Sequence, residues 1–340
     1  LSVGMPLDLQ IYEKDSLKLG KTRRILADDD YFQKTSKGWG ESLRAAFQSM
    51  PNYDFGADST KHFPQADGDA KPVPMTDLLK VSVLGADGRM GRAVISALSE
   101  TEGVKLVAAL THSESADLGK DSVALADEAV PLTDDMTAAR KSDVIIDFSA
   151  PKASLTLAEA IKNSGVRAII SGTTGMSAAQ SEAFHKTCEG IVLLQSGNFS
   201  LGVNMLEALV ELAANKLREG WDIDVLEMHH RHKVDAPSGT ALMLGRAAAK
   251  GRNVELESVQ KLSREGQTGA RPEGEIGFAT LRGGGVIGEH AVKIASELEM
   301  LPLAHSAFDR SVFAKGSVSA AIWAAKKAAG RYDMKDMLGL

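Results

Sequence analysis

Between Leu79 and Leu194 the chain returns again and again to short, unbroken apolar runs. Leu79–Leu84 is the first, Val104–Leu110 the second, Asp143–Phe148 ("DVIIDF") the third, Val166–Ile170 the fourth and Ile191–Leu194 the fifth. "RAVISALSE" after the first run carries apolar residues at helical spacing, and so do Ala153–Asn163 and Ala178–Thr187 between the later ones. A strand with one wet face alternates apolar and polar residues; an unbroken one is covered on both sides. The pattern therefore predicts an α/β architecture, a doubly wound parallel sheet with helices on both faces.

After Asn198 the texture changes. An amphipathic helix is expected at about 203–218, then a strand in "WDIDVLEMHH", then a helix at 240–250. Strand-like segments rich in Gly and Thr follow, "GEIGFATLRGGGVIGEHAVKIASELEMLPLAH", which predicts a second, α+β part with a mixed sheet. The last 30 residues, with "SVFAKGSVSAAIWAAKKAAG", read as helical and are expected to return to the first domain. Residues 1–74 differ from all of this: acidic clusters, scattered aromatics and a Pro/Gly/Asp-rich end. They read as a weakly structured extension with one short helical segment ("GESLRAAFQSM") and a linker at 56–74. Because "MTDLLKVSVLGADG" from Met75 resembles a natural start, the expectation is an upstream segment without function.

Composition narrows the classes. With 340 residues, two domains are expected. The formal charge of −6 argues against bulk electrostatic binding to nucleic acid or acidic membrane. Cys188 is the single cysteine, which excludes an intrachain disulfide and fits a reducing cytoplasm. No apolar run approaches the roughly 20 residues of a membrane helix, and no secretory signal is visible. A cytoplasmic location is the resulting expectation.

"VSVLGADGRMGRAVI" places Gly85, Gly88 and Gly91 between the first strand and its helix. Glycines there let the backbone approach a pyrophosphate, whose charge meets unpaired N–H groups at the helix N-terminus. A tight packing turn is the plainer alternative, but the strand–glycine–helix context favours a Rossmann-type dinucleotide site. NAD-preferring members of that fold end the second strand with an acid about 20 residues on, to bind the ribose 2′-hydroxyl. Here Thr111 and His112 stand at that point. With no carboxylate to repel a 2′-phosphate, and Arg89 and His112 able to face it, NADPH is the expected cofactor; Glu114 nearby weighs against this. "SGTTG" (171–175) and "SGNF" (196–199) close the fourth and fifth strands, at the edge where ligands bind in such sheets.

The segment "EMHHRHKVDAPSGTA" (227–241) sets His229, His230, His232 and Lys233 in five positions before a turn. Alternate strand residues share a face, so His229 and His230 diverge on a regular strand. A zinc site needs three or four converging ligands, and Glu227 does not complete one; no metal is expected. An anion clamp fits better. Lys233 is cationic, His230 adds charge if protonated, and Gly239 and Thr240 open a helix whose N–H groups and hydroxyl face an anion. A lysine or histidine held between two carboxylates is also placed to deliver a proton beside a hydride acceptor. These residues alone do not rank His229 against His230. His185, His290 and His305 are read as ordinary structural histidines.

Together, "GADGRMGR", "IDFSAP", "SGTTG", "NFSLGVN", "EMHHRHKVDAPSGTAL", "SREGQTGARPEGEIGFATLRGGGVIGEH" and "SAAIWAA" resemble the 4-hydroxy-tetrahydrodipicolinate (dihydrodipicolinate) reductase family over nearly all of 75–340. The resemblance implies a dinucleotide-binding domain of 75–200 plus 311–340, a substrate domain of 201–310 and a homotetramer built by the second sheet. It implies hydride transfer from NADPH or NADH to a cyclic imine dicarboxylate with loss of water, giving tetrahydrodipicolinate in lysine and diaminopimelate biosynthesis. Carried over by motif, His229 is the proton donor/acceptor and Lys233 the proton donor. His230 binds one substrate carboxylate, and Gly239 and Thr240 the other. Gly85, Ala86, Asp87, Gly88, Arg89, Met90, Gly172, Thr173, Thr174, Ser196, Gly197, Asn198 and Phe199 would contact the cofactor. Many members carry an acidic then a basic residue where this chain has Thr111–His112, which shifts the expectation toward NADPH. The Gly- and charge-rich Ser263–Glu275 is a candidate flap over the substrate.

Two other readings use the same residues. A dicarboxylate sensor would need the glycine loop and Gly239–Thr240 but no proton donor. An aspartate-semialdehyde-type dehydrogenase needs a nucleophilic cysteine in a site loop, whereas Cys188 sits in the helix-like "EAFHKTCEG", where packing is its expected role.

Overall fold

The structure is a computed structural model that describes residues 78–122 and 130–340. The extension read at 1–74, with its short helix and linker, lies outside the described residues. The first half runs β1 (Leu79–Leu84), α1 (Arg89–Ser99), β2 (Val104–Leu110), β3 (Leu132–Thr133), a 3-10 segment (Met136–Lys141) and β4 (Val144–Asp147). It continues through α2 (Pro151–Ala160), β5 (Ala168–Ser171), α3 (Ala178–Thr187) and β6 (Val192–Gln195). The second half comprises α4 (Leu201–Lys216), β7 (Asp222–His229), α5 (Gly239–Arg252), α6 (Leu256–Val259), β8 (Gln260–Lys261) and β9 (Ile276–Arg282). β10 (Gly288–Ala295), β11 (Met300–Ala307), α7 (Ser311–Ala324), β12 (Gly330–Tyr332) and α8 (Met334–Leu338) complete it.

The first sheet has seven strands in the order β12-β6-β5-β4-β1-β2-β3, every pair parallel. The chain winds outward from β1 to β3, then returns beside β1 and winds the other way from β4. That reversal leaves a crevice at the carboxyl ends of β1 and β4. The apolar runs explain the burial. Alternate residues Val81, Val83, Val144, Ile146 and Ile170 pack one way, with α1 and α7. Leu84, Ile145, Ile169 and Leu193 pack the other, with α2 and α3.

The second sheet is mixed, β11-β10-β7-β9-β8, with β10 antiparallel to both neighbours and β7 parallel to β9. Here the strands alternate: Ile223, Val225, Ile276, Phe278, Val292 and Ile294 pack under α4 and α5. The opposite face carries Leu226, Met228, Ala279, Leu281 and Ala291, and among the described residues no helix packs on it.

The helix α7 ends at Ala324; β12 then joins the first sheet as its seventh strand, beside β6, and the short α8 follows. A three-residue strand is too short to announce itself by periodicity. The two-residue β3 escapes for the same reason.

Candidate active site

The glycine turn at the crevice is held by steric necessity. Gly85 has φ +80°, and a Cβ there would stand 2.5 Å from the carbonyl oxygen of Phe148; one on Gly91 would stand 2.0 Å from Gly85 O. Helix α1 therefore starts tightly against β1. Its N-cap is Gly88, no side chain caps it, and its first turn holds no acid. By contrast, serine hydroxyls cap α3, α4 and α5 (Ser177, Ser200 and Ser238). Gly88 and Arg89 are exposed, Ala86 is buried and Asp87 and Met90 are half-buried. Uncapped N–H groups above a glycine cradle are what a pyrophosphate needs.

The neighbouring strand ends are organised by one buried acid. Asp147, at the end of β4, accepts hydrogen bonds from the hydroxyls of Ser149 (2.6 Å), Ser154 (2.5 Å) and Thr173 (3.0 Å). Burial pushes its carboxyl up despite these bonds. Gly172 lies against the Phe148 ring, where a Cβ would come within 2.2 Å, and Thr174 is exposed at the rim. In the next loop the Ser196 hydroxyl donates to Asn198 O at 2.7 Å, Gly197 is exposed, and Phe199 meets Phe148 edge-on at 5.5 Å.

At the end of the second strand, Thr111 is buried and His112 is two-thirds exposed, its Nε2 3.6 Å from the Asp87 carboxylate. A hydrogen bond from Ser115 to Asp87 (2.6 Å) fixes that carboxylate. Glu114 is exposed beside them. An acid from the glycine turn thus lies beside the end of the second strand, a contact that spacing along the chain does not reveal.

In the second half, β7 stops at His229, so His229 and His230 are not two residues of one regular strand. His229 is buried and its Nδ1 lies 2.5 Å from Glu227 Oε2. Glu227 is 1% exposed and also accepts from Arg282 Nη1 (2.8 Å) and Nη2 (2.9 Å) and from the Ser238 N–H (3.1 Å). Burial alone would raise this carboxyl; the hydrogen bonds from Arg282, His229 and the Ser238 N–H outweigh it and hold Glu227 below the usual carboxylate range.

Beyond His229 the chain turns back. His230 is half-buried, and loss of solvation together with the nearby Arg310 and Lys233 cations pushes its pKa down. A bound anion would act against this shift and favour protonation of the ring. Lys233 pairs with Asp235 at 2.9 Å within the same turn. Ser238 caps α5, leaving Gly239 exposed and Thr240 half-buried at its first positions. Asn198 Nδ2 donates to Thr240 Oγ1 at 3.1 Å, so the loop after β6 touches the start of α5.

The structure brings together Asn198, Thr240, the Ser238 cap, Glu227 and His229. It also shows residues the sequence reading passed over. Glu227, in the sequence only an incomplete metal ligand, lies two residues from His229 on the same strand, which is the signal for a shared face. Arg282 sits across from His229 in the β7–β9 register, and His290 across from Glu227 in the β7–β10 register. No local pattern predicts those pairings. His290 and His305 turn their Nε2 atoms to the two cap serines, Ser238 (3.0 Å) and Ser200 (3.3 Å). Burial pushes the Cys188 thiol up to about 12, which makes it inert as a nucleophile at neutral pH. The candidate flap is tethered: Arg264 pairs with Asp224 (2.9 Å) and Glu275 (2.5 Å), and Arg271 with Asp222 (3.0 Å) and Asp224 (2.6 Å).

A doubly wound sheet whose cofactor edge meets a buried acid–histidine pair is the build of a pyridine-nucleotide-dependent oxidoreductase. Comparison with known proteins carries this to a family. The model described as dihydrodipicolinate reductase, N-terminus, matches residues 79–199, and that of its C-terminus matches 202–338. The 4-hydroxy-tetrahydrodipicolinate reductase of Rhizobium rhizogenes is 49% identical over 269 residues, 78% of this chain and 98% of that protein. That of Allorhizobium ampelinum is 50% identical over 267 residues, 77% and 98% respectively. A dipicolinate-bound dihydrodipicolinate reductase from Paenisporosarcina sp. TG-14 shares the fold, with TM-score 0.64 at 24% identity over 77% of this chain and all of that one. The chain belongs to the dihydrodipicolinate reductase family, and it is an oxidoreductase.

Proposed function

We propose that this protein reduces 4-hydroxy-tetrahydrodipicolinate to tetrahydrodipicolinate in the diaminopimelate route to lysine. The substrate loses water and gains a hydride and a proton. A reduced nicotinamide nucleotide supplies the hydride when bound; the chain's own groups hold both ligands and manage the proton. Gly85 to Met90 hold the pyrophosphate at the uncapped start of α1, with Gly172, Thr173, Thr174 and Ser196 to Phe199 along the nicotinamide half. His230 takes one substrate carboxylate, Gly239 and Thr240 the other. His229, oriented by Glu227, and Lys233 exchange the proton. The observation that carries this reading is the Asn198–Thr240 hydrogen bond, which sets the start of the carboxylate-binding helix directly against the loop on the cofactor edge.

NADPH is proposed as the preferred cofactor, since no acid ends the second strand itself. The proposed assembly is a homotetramer built through the uncovered face of the second sheet.

The test is absorbance at the reduced-nicotinamide band with freshly generated substrate and NADPH or NADH in parallel. Substrate-dependent oxidation, faster with NADPH, is expected. Lys233→Ala should lower kcat by on the order of 10²-fold, the usual worth of general acid–base catalysis, with cofactor binding kept. No oxidation by folded protein that still binds NADPH would instead favour a dicarboxylate sensor.

A further inference from the structure

We infer that Glu227, clamped by Arg282, is a positioning residue that fixes the proton of His229 on Nδ1 and so makes Nε2 the only nitrogen that can exchange a proton with substrate. The inference rests on the proposed role of His229 in proton transfer.

An ionised carboxylate has no proton to donate, so every group facing it must be a donor. Glu227 Oε2 faces Arg282 Nη1 (2.8 Å) and His229 Nδ1 (2.5 Å). Glu227 Oε1 faces Arg282 Nη2 (2.9 Å), the Ser238 N–H (3.1 Å) and the Thr280 hydroxyl (3.3 Å). The neutral ring can satisfy Oε2 in one way only, with its hydrogen on Nδ1. Nε2 then carries the lone pair that takes a proton, and gives it back from the imidazolium, as a carboxylate–histidine pair does in other acid–base sites.

The far side of the ring is kept clear. A Cβ built on Gly288 would stand 3.2 Å from Nε2, so any other residue there would press on the reactive nitrogen. His290 lies edge-on to His229 at 5.1 Å but spends its Nε2 on Ser238 at 3.0 Å and does not compete for Glu227. Arg282 also donates to Asp235 O at 2.6 Å, in the turn that carries Lys233. One buried ion pair thus ties together the histidine, the lysine turn and, through Ser238, the start of the carboxylate-binding helix.

Glu227→Gln is the informative change, because the amide brings two donors into a ring of donors. With its NH2 on the Oε1 side it opposes two fixed donors, the Ser238 N–H and Arg282 Nη2, and only the Thr280 hydroxyl there can turn to accept. On the Oε2 side it opposes Arg282 Nη1 and the ring, and the ring alone can respond, by moving its proton to Nε2. The variant should therefore hold His229 in the wrong tautomer.

The experiment uses the full chain with histidine-selective 15N labelling; the eight histidines keep the spectrum readable. His229→Gln assigns the signal and tests the underlying role. In the wild type, His229 is expected to be protonated on Nδ1. In Glu227→Gln the proton is expected on Nε2, with kcat lowered about 10²-fold, the scale of general acid–base catalysis, and the Kd for NADPH within twofold. A wild-type His229 protonated on Nε2 alone would overturn the inference, and this measurement needs no variant other than the assignment control to fold. So would unchanged kcat in Glu227→Gln while His229→Gln is inactive. Full activity in His229→Gln would remove the proposed role of His229 itself, and the inference with it.

Discussion

His290 carries a measurable pH signature. It is 5% exposed, and loss of solvation beside His229 lowers its pKa to about 4. The ring stays neutral in the fold, while the unfolded chain takes up a proton near pH 6.5. Its contribution to stability is therefore complete above pH 6.5 and is lost as the pH falls toward 4. At about 1.36 kcal/mol per unit, moving from pH 6.5 to 5 should cost about 2 kcal/mol through this residue. Denaturant unfolding at pH 7 and 5 measures it: the drop should be smaller by about that amount in His290→Gln. Equal drops in both proteins would show that His290 titrates normally. The sequence pattern suggests no more for this histidine than a solvated or hydrogen-bonded loop residue, whereas it is buried on β10 against Ser238. Strand alternation puts Glu227 with His229 on one face of β7. Arg282, 55 residues on, and His290, 52 residues beyond its partner Ser238, join them only through strand register, to which no local spacing gives access.

Helix α5 depends on its cap more than other helices do. Ser238 Oγ accepts the Ala241 N–H at 3.1 Å and also hydrogen-bonds His290 Nε2 at 3.0 Å. Ser177 caps α3 with Gln180 in a reciprocal capping box at the surface. Removing either hydroxyl costs about 1 kcal/mol of capping. Ser238→Ala in addition leaves a buried ring nitrogen without its partner, a further cost of about 1–3 kcal/mol. Chemical denaturation should therefore rank Ser238→Ala well below Ser177→Ala; equal losses would mean that the Ser238–His290 contact adds nothing. The elements themselves were largely visible in the sequence, because continuous apolar runs have one physical explanation, burial on both faces. Leu79–Leu84, Val104–Leu110 and Ala178–Thr187 stand where the pattern puts them. What the pattern lacked was β3 and β12, too short to show a period, and the pairing order of the second sheet, which depends on long-range register.

The two sheets differ in one respect that bears on assembly. The seven-stranded sheet is packed on both faces, whereas the five-stranded one is packed on one. On its other face Leu281 is 49% exposed and Met300 51%, in line with Leu226, Met228, Ala279 and Ala291 on neighbouring strands. A sheet face that sets these apolar side chains among Asp224, Glu289 and Lys293 is a candidate for burial against another copy of the chain. Leu281→Glu tests this cleanly. Half-exposed in the single chain, the side chain can be replaced there at a cost within about 0.5 kcal/mol, so the fold should survive. At a subunit interface the same change buries a charge without a partner, which costs several kcal/mol. Sedimentation should then show a smaller particle than the wild type at equal concentration, with far-ultraviolet circular dichroism unchanged. A mass equal to the wild type's, with the fold intact, would place the contact elsewhere. If the variant dissociates and also loses turnover while NADPH still binds, the assembly is part of the active site; if turnover persists, one chain holds all the groups the reaction needs.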